Sequence, residues 1–162
     1  MAILVADTSV LIDLERAGLL QVTFSSGLVL VVPDLLYAYE LEDYNGRYLR
    51  EIGLVVAELT ADEVAVAQDY KAAHKALSLP DCFALACAQR PNHSLATGDQ
   101  NLRRVATDRG VEARGVLWLL DLLAEHGVNP ATLAQGLMAI QAHPKCMLPR
   151  DEMDARIRSW SA

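Results

Sequence analysis

Short runs of consecutive apolar residues alternate along this chain with longer stretches whose apolar positions recur every three or four residues. The runs "AILVA" (2–6), "LVLVV" (28–32), "LVVAE" (54–58), "SLAT" (94–97) and "VEARGV" (111–116) predict five strands. Several are continuously apolar rather than alternating, the pattern of strands buried on both faces of a parallel sheet. The stretches between them predict helices. "TADEVAVAQDYKAAHKAL" (60–77) opens with Thr60 and Glu63 at capping-box spacing and carries an apolar stripe at Val66, Tyr70, Ala73 and Leu77. Strand and helix in alternation predict an α/β fold: a three-layer α/β/α sandwich around a mainly parallel five-stranded sheet.

After residue 116 the strand pattern stops. "LWLLDLLAEHG" (117–127) is apolar on too many sides for a surface helix of a small monomer, and Gly127 ends it. Asn129 then stands at an N-cap position with Pro130 behind it, so "PATLAQGLMAIQAH" (130–143) starts a new helix. The last one, "RDEMDARIRSW" (150–160), carries Met153, Ile157 and Trp160 on one face. Residues 1–116 thus read as the core. Residues 117–162 read as a helical extension that packs on the sheet or on a second subunit, and its apolar faces predict a homodimer.

Composition narrows the function. A chain of 162 residues, 52% of them hydrophobic, supports one domain with a real core, and no stretch approaches the roughly 20 uncharged apolar residues of a membrane span. "MAILVAD" has no basic leader, which predicts a cytoplasmic protein. Cys82, Cys87 and Cys146 form no CxxC pair and read as reduced packing residues; the four histidines are scattered. The formal net charge of -7 is the wrong sign for holding nucleic acid by bulk electrostatics. Any such function needs a local site where metal ions reverse the sign of its own carboxylates. A dinucleotide fold is excluded, because "DTSVLID" after the first strand has no GxGxxG turn.

Four acids are candidates for that site. Asp7 closes the first strand and precedes a helix, and Asp99 stands in the same relation to the fourth strand and "QNLRRVA". Each also reads as an ordinary helix N-cap. Asp81 follows Pro80 at the head of "CFALACA", where it also reads as a complement to a positive helix end. Glu40, between Tyr39 and Leu41 on a largely apolar helix, is partly surrounded by apolar groups and needs a partner, a hydroxyl or an arginine if not an ion. In an open parallel sheet, ligands bind beyond the carboxyl ends of the strands, which is where Asp7 and Asp99 fall. If Glu40 and Asp81 project into the same crevice, the cluster is costly when empty: two unit charges about 4 Å apart repel by roughly 4 kcal/mol at an effective dielectric of 20. Oxygen-only ligation suits Mg²⁺ or Mn²⁺.

"VADTSVLIDL", "VPDLLYAYEL", "LSLPDCFALACAQ" and "LATGDQNLRRVA", in that order and reaching to about residue 116, together resemble a PIN-domain ribonuclease. The resemblance implies metal-assisted hydrolysis of RNA, with Asp7, Glu40, Asp81 and Asp99 as the acidic metal-binding positions and Mg²⁺ or Mn²⁺ as cofactor. It puts Ser9 and Thr97 where hydroxyls support the site. The position two residues beyond Asp99, often acidic in the family, is here the neutral Asn101; Glu42 is the competing choice for that acid, disfavoured because it pairs with Asp43 on the wet side. Arg103 and Arg104 read either as substrate-backbone contacts or as a solvated basic face. Many small stand-alone PIN proteins are toxins of toxin–antitoxin pairs, so the resemblance also implies an antitoxin partner. The rival reading is a PIN-like binding or structural protein with a degenerate site.

Overall fold

The computed structural model describes residues 3–162. Five parallel strands form its sheet: β1 (Ile3–Ala6), β2 (Val29–Pro33), β3 (Val55–Ala57), β4 (His93–Ala96) and β5 (Ala113–Arg114), in the order β3-β2-β1-β4-β5. Ala2, at the start of the first predicted strand, lies outside the described residues. The central strands are buried on both faces, since consecutive residues Leu4, Val5 and Ala6, and Leu30, Val31 and Val32, are all buried. That explains why their sequences do not alternate. β5 is shorter than its predicted span because only Ala113 and Arg114 find ladder partners, in Leu95 and Ala96.

Helices cover both faces, giving the α/β/α sandwich that the sequence predicts. They are α1 (Thr8–Arg16), α2 (Leu20–Ser25), α3 (Asp34–Leu36), α4 (Gly46–Ile52), α5 (Ala61–Ala73), α6 (Leu79–Ala88), α7 (Gln100–Asp108), α8 (Val116–Glu125), α9 (Pro130–Ala142) and α10 (Arg150–Ser161). Between α3 and α4 the chain runs on through a π-helical turn, Tyr37–Leu41, closed by the Glu42 N–H donating to the Tyr37 carbonyl at 2.8 Å. α6 is the central wedge. Every residue from Cys82 to Ala88 is buried, against α5 on one side and β1, β2 and β4 on the other.

α5 departs from its predicted stripe. It ends at Ala73, four residues before Leu77, where Lys71 Nζ reaches past the helix end to the carbonyls of Lys75 (3.0 Å) and Leu77 (2.7 Å). The face turned inward is Ala67 and Tyr70, with Val64 beside them, whereas Val66 and Ala73 are exposed. Its neighbour α6 is lined by small residues, and Ala67 permits the close approach that a stripe centred on Val66 would not.

The C-terminal helices fold back on the chain. Leu117, Leu119, Leu120 and Leu123 of α8, and Met153 of α10, are buried within it. A bidentate pair ties α10 to α8, with Arg156 donating to Asp121 at 2.9 and 2.8 Å. α9 approaches the connection between α1 and α2 so closely at Gly136 that a Cβ there would meet Leu19 Cδ1 at 2.8 Å. The apolar positions from which the sequence predicts a second subunit are therefore largely covered by the chain itself. No helix among the described residues is long and apolar enough to cross a membrane.

Candidate active site

The sheet order has a switch point between β1 and β4, because the chain leaves β1 toward β2 and β3 and returns on its other side to build β4 and β5. Such a point opens a crevice at the carboxyl ends of the two strands. Asp7 follows β1 there, and Thr97, Gly98 and Asp99 follow β4. Hydrogen bonds stitch the two segments together. Thr97 donates its hydroxyl to Asp7 Oδ2 at 2.7 Å and accepts the Asp99 N–H at 3.0 Å. Ser9 donates to the same Asp7 oxygen at 3.0 Å and accepts the Gly98 N–H at 2.9 Å. The two hydroxyls that the resemblance puts beside the site hold its central carboxylate in one orientation.

Asp7, Asp81 and Asp99 are all at helix N-termini, and the capping readings hold for each. Asp7 Oδ1 accepts the Thr8 N–H at 2.9 Å, and Asp99 Oδ1 accepts those of Asn101 (2.8 Å) and Leu102 (3.1 Å). Asp81 closes a capping box: its Oδ2 accepts the Ser78 N–H at 2.9 Å, and its own N–H donates to Ser78 Oγ at 3.1 Å. The positive ends of α1, α6 and α7 thus partly offset the acids. Capping and ligation do not exclude one another, since a carboxylate offers two oxygens and about four lone pairs.

Glu40 is a correction. It is exposed, on the outer side of the π-helical turn, rather than enclosed by apolar groups. The turn leaves Ala38, Tyr39 and Glu40 outward between buried Tyr37 and Leu41. Its partner is a hydroxyl, with Thr8 Oγ1 donating to Glu40 Oε1 at 2.8 Å. Thr8 is a site residue that sequence reasoning passed over, as is Ser78. The spacing of Ser78 and Asp81, the same as that of Thr60 and Glu63, is the signal that identifies Ser78.

Electrostatics concentrate on Asp7. Burial, at 5% exposure, is the main reason its pKa is raised to about 6, against the lowering effect of the Thr97 and Ser9 hydroxyls. The charges of Asp81 and Glu40 push it further up. Asp7 forms no salt bridge with a lysine or arginine among the described residues. Asp99 is linked to that carboxylate through Thr97, whose hydroxyl donates to Asp7 and accepts the Asp99 N–H.

Among the described residues, no three His, Cys, Asp or Glu side chains gather closely enough to form a metal cage. The donor set still fits a hard cation. Mg²⁺ is ordinarily held by one or two carboxylates, with waters and substrate phosphates completing its shell, so an open rim of oxygen donors suits it better than a closed cage. Cys82 and Cys87 are buried packing residues, and burial pushes their thiols up to about 11.

The two arginines differ. Arg103 is half-buried, its guanidinium lying over Gly115, where a Cβ would meet Nη1 at 2.7 Å, and it forms no salt bridge among the described residues. Arg104 is exposed and donates to Asn101 Oδ1 at 2.5 Å, which occupies that oxygen.

Fold and acids together define a class: an α/β/α protein with acidic side chains grouped at the switch point of a parallel sheet. Within that class the chain belongs to the PIN-domain family, whose model matches residues 3–162 and so includes the C-terminal helices. Membership carries a nuclease-type function in general terms, and with it the general use of divalent metal ions. No curated protein and no solved structure matches the chain.

Proposed function

We propose that this protein is a divalent-metal-dependent endoribonuclease, hydrolysing RNA phosphodiester bonds as the toxin of a cytoplasmic toxin–antitoxin pair. The observation that carries the chemistry is the buried Asp7 carboxylate, raised to about 6 chiefly by burial and further by the charges of Asp81 and Glu40, and in no salt bridge among the described residues. A site that gathers negative charge without a counter-charge is built to receive one. Asp7, Glu40, Asp81 and Asp99 would hold Mg²⁺ or Mn²⁺, which supplies the positive charge that polarises the phosphodiester and makes water nucleophilic at neutral pH.

The chain's own residues set the geometry. Ser9, Thr97 and the Thr8 N–H fix both oxygens of Asp7. Thr8 Oγ1 holds Glu40, and the Ser78 N–H holds Asp81. Arg103, with no carboxylate partner among the described residues, would grip a substrate phosphate. The role as a toxin, and the antitoxin that would block the site, rest on the likeness to small stand-alone PIN proteins.

One observation favours the rival, a degenerate PIN-like binding protein: Asn101 is neutral and its oxygen is engaged by Arg104. Incubation with labelled single-stranded RNA in Mg²⁺ or Mn²⁺, and in chelator, separates the two. The enzyme cleaves only with metal; a protein that leaves varied RNAs intact under both conditions is the degenerate form.

A further inference from the structure

Tyr39 adjoins Glu40 in the chain and stacks on Phe83, two residues beyond Asp81, and makes no hydrogen bond to either acid among the described residues. It precedes Glu40 on the π-helical turn and is 64% exposed, a large aromatic ring turned to water. The ring is not loose. It lies parallel to Phe83, with an interplanar angle of 5° and centroids 6.1 Å apart, and Phe83 is buried on α6 two residues beyond Asp81. An offset stack of this kind fixes the plane of the outer ring. Tyr37, two residues earlier, is unavailable for the same purpose: it is buried, and the Arg50 guanidinium covers its ring at 5.6 Å.

We infer that Tyr39 is a base-stacking platform, receiving an unpaired nucleobase of the RNA next to the phosphate that the acids act on. The inference rests on the ribonuclease reading of those acids. Two arguments carry it. A flat exposed ring, next in the chain to Glu40 and stacked on Phe83 two residues beyond Asp81, offers a π-face beside the candidate acids. A protein of net charge -7 also gains little from bulk attraction to a polyanion, so its hold on RNA depends on contacts that need no charge. Stacking is such a contact, and it tolerates any base while requiring that the base be unpaired. The substrate is therefore single-stranded RNA, or a loop.

The test uses the full chain, a fluorescent short single-stranded RNA, and a set of the same RNA with one abasic ribose at each position in turn. Anisotropy read at once on mixing in Mg²⁺ gives the Kd, and cleavage is followed in the same tube. Tyr39→Ala should raise the Kd of intact RNA by on the order of tenfold or more. It should add little for the RNA whose abasic position removes the stacked base, and Tyr39→Phe should restore binding. If the wild type cleaves and Tyr39→Ala binds intact RNA as well as it does, or loses as much on every abasic RNA, the platform is overturned while the ribonuclease stands; the exposed ring is then left for a protein partner. If RNA binds with this Tyr39 dependence but is never cleaved, the platform stands and the ribonuclease reading falls. A wild type that neither binds nor cleaves overturns both.

Discussion

Two capping boxes, built on the same spacing, have opposite electrostatic fates. In the first, Thr60 and Glu63 exchange bonds at 2.9 and 3.1 Å at the head of α5; in the second, Ser78 and Asp81 do so at 2.9 and 3.1 Å at the head of α6. Glu63 is also gripped by Arg90, whose Nε and Nη2 donate at 2.7 and 2.8 Å and whose Nη2 also reaches the Glu58 carbonyl. That grip draws the Glu63 pKa down to about 2. Asp81 forms no salt bridge among the described residues. Its charge instead raises Asp7. An acid whose charge is neutralised within the fold serves the fold, whereas one in no salt bridge beside others of its sign is a candidate to serve a ligand.

The largest effect that sharpens this contrast is at Asp7. Its folded pKa of about 6 lies above the ordinary 3.8, so the folded protein holds the proton more tightly than the unfolded chain. The stability this contributes is complete below about pH 4 and is lost as pH rises through about 6, a change of about 3 kcal/mol. Between about pH 4 and pH 7.5, in chelator, Asp7→Asn should gain about that much on the wild type in denaturant-derived stability; parallel profiles would refute the strain. Glu63 has the opposite sign, its contribution being present above about pH 4.5 and lost as pH falls toward 2. Arg90→Met strands that carboxylate and should cost about 2 kcal/mol by thermal or urea unfolding, with RNA cleavage untouched. The smallest effects are at the caps. Thr60→Ala and Ser78→Ala should each lower stability by about 1 kcal/mol, but only Ser78→Ala, which loosens Asp81, should also slow cleavage.

Much of this was legible in the sequence because it depends on local rules. Continuous apolar runs gave away the doubly covered sheet, and Asp7 and Asp99 were readable as acids at strand ends. The hydroxyls of Ser9 and Thr97 came from family likeness, and the structure finds both on Asp7. What escaped depends on tertiary geometry. The π-helical turn carries no local signature, so Glu40 read as half-buried when the turn rotates it outward. The stripe on α5 slipped from Val66 to Ala67 because its small-residue neighbour α6 decides which side fits. That Asp81 forms no salt bridge among the described residues is invisible in the chain, where Arg90 is only nine positions away yet turns to Glu63.

The central claim is that the unpaired acids work on RNA while the paired one does not, and one comparison tests it directly. Wild type, Asp81→Asn and Glu63→Gln are assayed side by side on the same single-stranded RNA in Mg²⁺, with thermal melts on the same samples. Asp81→Asn should melt within about 1 kcal/mol of the wild type yet cleave slower by on the order of a hundredfold. Glu63→Gln should lose stability and keep its rate. Cleavage at full rate by folded Asp81→Asn, or a loss of rate confined to Glu63→Gln, would contradict the account.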